Sequence, residues 1–263
     1  MSAEQSRSNF DPDTTRPILE MAEVVESSEN PFGRRLMALA EVTLCSGFPT
    51  QLGLISLLSL FGYTPSDAAG QLSISYIIVL SFADTIVVLL LVWSLMEAHN
   101  ERPVATFVGK RPIAKEVALG IGLVPIALII TATVFGIIRQ AAPWLHNVPK
   151  NPLEALIQSP TTAILFTVVA VIAGGFREEV QRAFILNRFE QHLGGSTIGL
   201  VVFSVAFGLG HLVQGQDAAL VTGLLGAFWG IVYLKRRSVV APIFSHAIFN
   251  IVEILIAYRA NVG

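Results

Sequence analysis

The sequence predicts an all-α fold, a polytopic membrane helical bundle of about seven transmembrane helices (six to eight). The 263 residues are 53% hydrophobic and only 14% charged, with a mean hydropathy of +0.65, too apolar for a soluble protein of this length. The apolar residues also fall in runs long enough to cross about 30 Å of hydrocarbon at 1.5 Å per residue. Finally, Lys and Arg gather in alternate connections between those runs, the pattern that orients a multi-pass protein.

Residues 1–33 form a polar, acidic N-terminal tail without an apolar core segment, so no cleavable secretory signal is expected; "ILEMAEVV" at 18–25 suggests a short interfacial amphipathic piece. Residues 34–159 hold three N-terminal spans, at about 36–62, 72–96 and 113–138, the first serving as insertion signal. Residues 160–263 hold four more, at about 160–190, 197–213, 218–234 and 239–258. The first of these is long, with "HLGG" offering a glycine at its C-terminal end. The next two are short and joined by the polar "VQGQDA".

Orientation follows from the basic residues. Arg34 and Arg35 precede the first span, Arg102, Lys110, Arg111 and Lys115 follow the second, Arg188 closes the fourth, and Lys235, Arg236 and Arg237 follow the sixth. This bias predicts a cytosolic N-terminus and an external C-terminus. The short loops and absence of a large soluble domain favour a bacterial or archaeal plasma membrane. A net charge of −2 and a pI near 6.2 provide no basic surface for nucleic acid. The lone Cys45 excludes an internal disulfide and any CxxC-type metal or redox site.

Ionisable groups at membrane depth are costly and call for a reason. Glu41, Asp84, Glu116 and Glu253 each stand alone and are expected to be interfacial or paired, Asp84 being the strongest candidate for more. The C-terminal half differs: Glu178, Glu179 and Arg182 share the fourth span, His211 falls on the fifth, and His246 and Asn250 on the seventh. Glu178, His211 and Asn250 lie at similar counts from the inner ends of their spans, so their depths agree to within several ångströms at 1.5 Å per residue. Glu178 with Arg182, and His246 with Asn250, are i, i+4 pairs on one helix face. Gly208 and Gly210 beside His211 permit close approach of a helix or substrate.

A carboxylate and two imidazoles can ligate a divalent metal, zinc in the first instance, through Glu178, His211 and His246 while leaving a position for water. Alternatively, a glutamate and a histidine deprotonate water directly, without metal. Either route supplies a nucleophile for amide hydrolysis, with Asn250 as oxyanion donor and Arg182 orienting a glutamate or binding a substrate carboxylate. A buried polar network that only joins helices is the competing interpretation.

These residues carry a resemblance. Two glutamates followed by Arg182, then Phe207 to His211 in "FGLGH", then His246 to Asn250 in "HAIFN", resemble the CAAX-processing and bacteriocin-processing intramembrane protease family, including its type II CAAX prenyl endopeptidases, over roughly residues 160–258. The resemblance implies an endopeptidase acting on peptide or membrane-protein substrates, including prenylated CAAX-type ones, that enter from the bilayer or the cytosolic side. It implies water activation by Glu178 or Glu179 with His211, a site completed by His246 and Asn250, and Phe207 packed against it. The family spacing is Glu-Glu-x-x-x-Arg, whereas "REEVQR" gives Glu-Glu-x-x-Arg. If Arg182 sets the register, Arg177 replaces the first glutamate and the chain is a pseudoenzyme; if the glutamate pair sets it, Glu178 is the base and Arg182 has shifted by one residue. Two other classes stay open: a non-catalytic scaffold or bacteriocin-immunity-type binding protein, and a transporter using Asp84 and Glu253 as a relay.

Overall fold

The computed structural model describes residues 30–66 and 70–262; the expected amphipathic piece at 18–25 lies outside them. The chain divides into residues 1–37 and residues 38–263. In the first unit, the described residues open helix α1 (Pro31–Leu44), where the Asn30 side chain accepts from the Phe32 amide at 3.0 Å.

Within residues 38–263, helix α2 (Phe48–Leu60) follows α1 after a break with a 46° bend. Gly47 occupies the break at φ +87°, a conformation that disfavours any side chain. The Gln181 amide donates to the Cys45 carbonyl at 2.6 Å, satisfying one backbone group that the break leaves without a helical partner.

Helix α3 (Ile74–Ala98) begins where the Ser73 hydroxyl accepts from the Tyr76 amide, and α5 (Ile113–Ala141) follows the short α4 (Pro103–Val108). Both long helices turn large apolar residues outward, among them Ile86, Leu90, Ile121 and Ile129, as lipid-facing helices do. Helix α6 (Pro160–Val169) starts with Ser159 and Thr162 capping each other's backbone and Pro160 in the first turn. It runs into a π-helical stretch, Ala170–Arg177, and then α7 (Glu178–His192). Helix α8 (Ser196–Leu209), α9 (Gln216–Arg236) and α10 (Val240–Val262) complete the chain. Helix α10 packs chiefly against α5 and the π-helical stretch, and α9 against α8.

The fold is the all-α, polytopic helical bundle expected, and no strand occurs among the described residues beyond one isolated bridge, Ser66 to Leu72. Among the described residues, four helices are long and apolar enough to cross a membrane (α3, α5, α9 and α10), or five if the bent α1–α2 pair is one span. The remaining two of the seven expected spans take other forms. The 160–190 run is interrupted by the π-helical stretch, and the 197–213 run is served by α8, which has only 14 residues, about 21 Å at 1.5 Å per residue.

The isolated acidic residues at membrane depth are mostly paired. Glu41 accepts from Arg188 at 2.5 Å and meets His99 at 2.5 Å, while Glu116 pairs with Arg236. Burying these charges without partners would cost several kilocalories each.

Candidate active site

Helix α7 begins with the two adjacent glutamates, and their 100° separation on a helix gives them different surroundings. Glu179 is 1% exposed, ion-paired with Arg182 and 2.8 Å from His246 Nδ1. Glu178 instead lines a cavity of about 360 Å³, its Oε2 4.0 Å from His246 Nε2. His211, His246 and Asn250 line the same cavity; Glu179 and Arg182 do not. Three separate segments of the sequence therefore converge, and one glutamate of the pair faces the open space.

Arg182 is fully buried, its guanidinium 5.1 Å from the ring of Phe203, 5.0 Å from Phe207 and 6.0 Å from Trp229. Those rings exclude water from the Arg182–Glu179 pair and strengthen it. Arg182 thus faces Glu179 and not the cavity. Phe207 also lies against the His211 ring at 4.9 Å.

His211 sits in the turn just beyond α8, which ends at Leu209, not inside the helix. Its Nδ1 is 2.8 Å from the Phe207 carbonyl. A carbonyl only accepts, so Nδ1 carries the hydrogen and Nε2 is left for the cavity. His246 is arranged alike: Nδ1 donates to Glu179 and Nε2 points toward Glu178. Trp229 stacks on the His246 ring at 3.9 Å and 15°, fixing its plane, while the indole N–H donates to Ser245 Oγ at 3.1 Å.

The π-helical stretch forms one wall. Its wide turns bond across five residues, the Glu178 amide donating to the Ala173 carbonyl. The Asn250 amide donates to the Ala170 carbonyl at 3.1 Å. Gly174 gives the approach its room, since a Cβ there would stand 2.6 Å from Asn250 Nδ2 and 3.9 Å from His246 Nε2.

Arg177 and Asp84 extend the site toward α3. Arg177 lines the cavity, with Nη2 3.8 Å from Glu178 Oε1 and 3.5 Å from Asp84 Oδ2, and Nη1 donates to Gln181 at 2.8 Å. Asp84 is 1% exposed and also accepts from Thr50 Oγ1 at 2.5 Å and Gln51 Nε2 at 3.3 Å. Asp84 thus supplies the opposite charge that Arg177 needs beside Glu178.

The donor chemistry resembles that of a metal centre, because each imidazole has one nitrogen held by an acceptor and the other turned to the cavity. The geometry does not complete one. Among the described residues no three His, Cys, Asp or Glu side chains converge as ligands, so Glu178, His211 and His246 as arranged do not fit a three-ligand site.

Trp229 was missed by sequence reasoning, and Arg177 entered it only as a register alternative to the first glutamate. Trp229 stands in an apolar span, where an aromatic residue draws no notice, yet Gly226 and Gly230 flank it at the four-residue spacing that brings helices close. A Cβ on Gly226 would lie 2.9 Å from Phe207. Arg177 was visible as the residue before the glutamates, but its partner Asp84 is 93 positions away and nothing local links them.

Known proteins add one finding. Residues 160–252 match the Rce1-like family of type II CAAX prenyl endopeptidases. No curated protein and no solved structure gives a match. The Rce1-like segment covers roughly a third of the chain and contains Glu178, Glu179, Arg182, Phe207, His211, Trp229, His246 and Asn250. The match agrees with the resemblance read from the motifs, and together with the apolar helices it supports an integral membrane protein.

Proposed function

We propose that the protein is an intramembrane endopeptidase in which Glu178 is the general base. The observation that carries this reading is the shared cavity: Glu178, His211, His246 and Asn250 line it, while Glu179 and Arg182 are buried behind His246. A water beside Glu178 and the two Nε2 atoms gives a proton to the Glu178 carboxylate as its oxygen attacks the substrate carbonyl carbon. The carbonyl π electrons move to oxygen, and that oxyanion accepts a hydrogen bond from Asn250 Nδ2. When the tetrahedral species collapses, the C–N bond breaks and Glu178 returns the proton to the leaving amine. The products are a carboxyl terminus and an amine.

Glu179 acts through His246, holding Nδ1 so that Nε2 stays in the cavity, and Arg182 holds Glu179. On this reading the altered glutamate-to-arginine spacing does not make a pseudoenzyme, because Glu178 occupies the cavity and Asp84 accompanies Arg177. The substrates are peptides or membrane-associated proteins, including prenylated CAAX-type chains, that enter from the bilayer or the cytosolic side. The positions of Lys and Arg support a cytosolic N-terminus.

The test is cleavage of a fluorogenic farnesylated CAAX peptide by protein in liposomes, comparing wild type with Glu178→Gln, His211→Ala and His246→Ala. Activity lost in all three with melting temperatures retained supports the reading. Full activity in Glu178→Gln overturns it.

A further inference from the structure

Besides Glu178, the cavity is lined by two carboxylates that the hydrolytic step leaves unused, Glu154 and Glu253. Glu253 lies on α10, and His246, Asn250 and Glu253 fall at i, i+4 and i+7, so one helix face presents all three to the same space. Seven residues of helix place Glu253 about 10.5 Å along the axis from His246.

Glu253 stands apart from the other acidic residues of the membrane-depth set. Glu41, Asp84, Glu116 and Glu179 each have an Arg or His partner. Among the described residues Glu253 has neither a hydrogen bond nor an ion pair, and the charged group acting on it is another carboxylate, that of Glu154. Glu154 lines the cavity too. On α5, Thr131 also lines the cavity; it is 8% exposed and its buried hydroxyl has no hydrogen-bond partner. A carboxylate kept at depth without a cation, in a cavity with an unpartnered hydroxyl, is costly unless something completes it.

We propose that Glu253, with Glu154 beside it, forms a cation-binding subsite for a basic side chain of the substrate. This rests on the peptidase reading and names its substrate class: an apolar peptide with a Lys or Arg close to the cleaved bond. An extended chain advances 3.3 to 3.6 Å per residue, so about 10 Å corresponds to roughly three residues. The basic residue lies within about three positions of the scissile bond. Glu253 is a specificity residue, because it touches substrate without meeting the reacting atoms.

The experiment separates binding from catalysis. Fluorescein-labelled apolar peptides carrying one Lys, Gln or Glu at successive positions are titrated by anisotropy against detergent-solubilised Glu178→Gln protein, alone and combined with Glu253→Gln or Glu253→Lys. The same peptides are incubated with wild-type and Glu253→Gln protein to measure kcat/KM. The expected result is roughly tenfold tighter binding of the Lys peptide than of the Glu peptide at one position. Glu253→Gln abolishes that ratio and Glu253→Lys inverts it, with the Gln peptide little changed. Equal affinities for Lys and Glu peptides at every position overturn the subsite, as does a preference that persists in Glu253→Gln. Charge-selective binding without cleavage by wild type keeps the subsite and overturns the peptidase reading, whereas cleavage without charge preference does the reverse.

Discussion

Gly174→Ala tests whether Asn250 acts in the reaction. An ideal Cβ at position 174 stands 2.6 Å from Asn250 Nδ2, roughly 0.8 Å inside the 3.4 Å at which ordinary contact begins. The obstructing atom is the end of a side chain, so the amide swings away and the backbone stays. That swing stretches its 3.1 Å bond to Ala170 and moves the proposed oxyanion donor by close to 1 Å. A displacement of that size costs about 100-fold in rate, or about 2.7 kcal/mol of barrier. Stability should hold, since alanine in a helix gains about 0.5–1 kcal/mol over glycine. The assay pairs initial rates of peptide cleavage in liposomes with melting followed by tryptophan fluorescence. Asn250→Ala is expected to lose a similar factor, about 10²–10³. The double variant should be no slower than Asn250→Ala, because both changes remove one interaction. Wild-type kcat in Gly174→Ala, or losses that multiply in the double variant, would refute the reasoning.

Glu179→Gln should destabilise the protein by about 3–5 kcal/mol, because it leaves Arg182 buried without its counter-charge; Glu178→Gln, on the cavity, should melt near wild type, and the reverse order would exchange the roles assigned to the two glutamates. Asp84→Asn should destabilise the protein by about 3 kcal/mol, because it removes the buried one of the two carboxylates beside Arg177, and adding Arg177→Gln should recover most of it; unchanged melting in the single variant would show that the Arg177–Asp84 contact does not stabilise the fold. Elemental analysis of purified protein should find no stoichiometric metal requiring both His211 and His246; near-stoichiometric zinc lost in both alanine variants would displace the metal-free water activation.

The helical class and membrane placement were legible because apolar composition and run length are additive properties that survive any rearrangement of the helices. The partners on the α10 face were legible for a local reason: the four residues from His246 to Asn250 fix two side chains on one face. Span count was not, because neither the bend at Gly47 nor the wide turns of Ala170–Arg177 leave a mark in hydropathy. The two glutamates could not be ranked from spacing alone. Their difference depends on what each meets once the helices pack, Glu179 facing His246 of α10 and the aromatic-walled Arg182 of its own helix, and Glu178 facing the cavity. Asp84 was singled out as an isolated acid, but its link to Arg177 exists only after α3 packs beside the π-helical stretch.

The wide turns before Glu178 also bear on how such a helix tolerates changes in length. In a regular α-helix, removing one residue rotates everything beyond it by about 100°, which would carry a working side chain off its face. A π-helical turn stores one surplus residue without breaking the rod. Shortening the 170–177 stretch by one would tighten it to α-helical pitch and leave the glutamate pair close to its present face, whereas the same deletion within α7 would carry it away. The wide turns thus mark the one part of this helix where a single-codon deletion is tolerated, with the remaining helices left where they are.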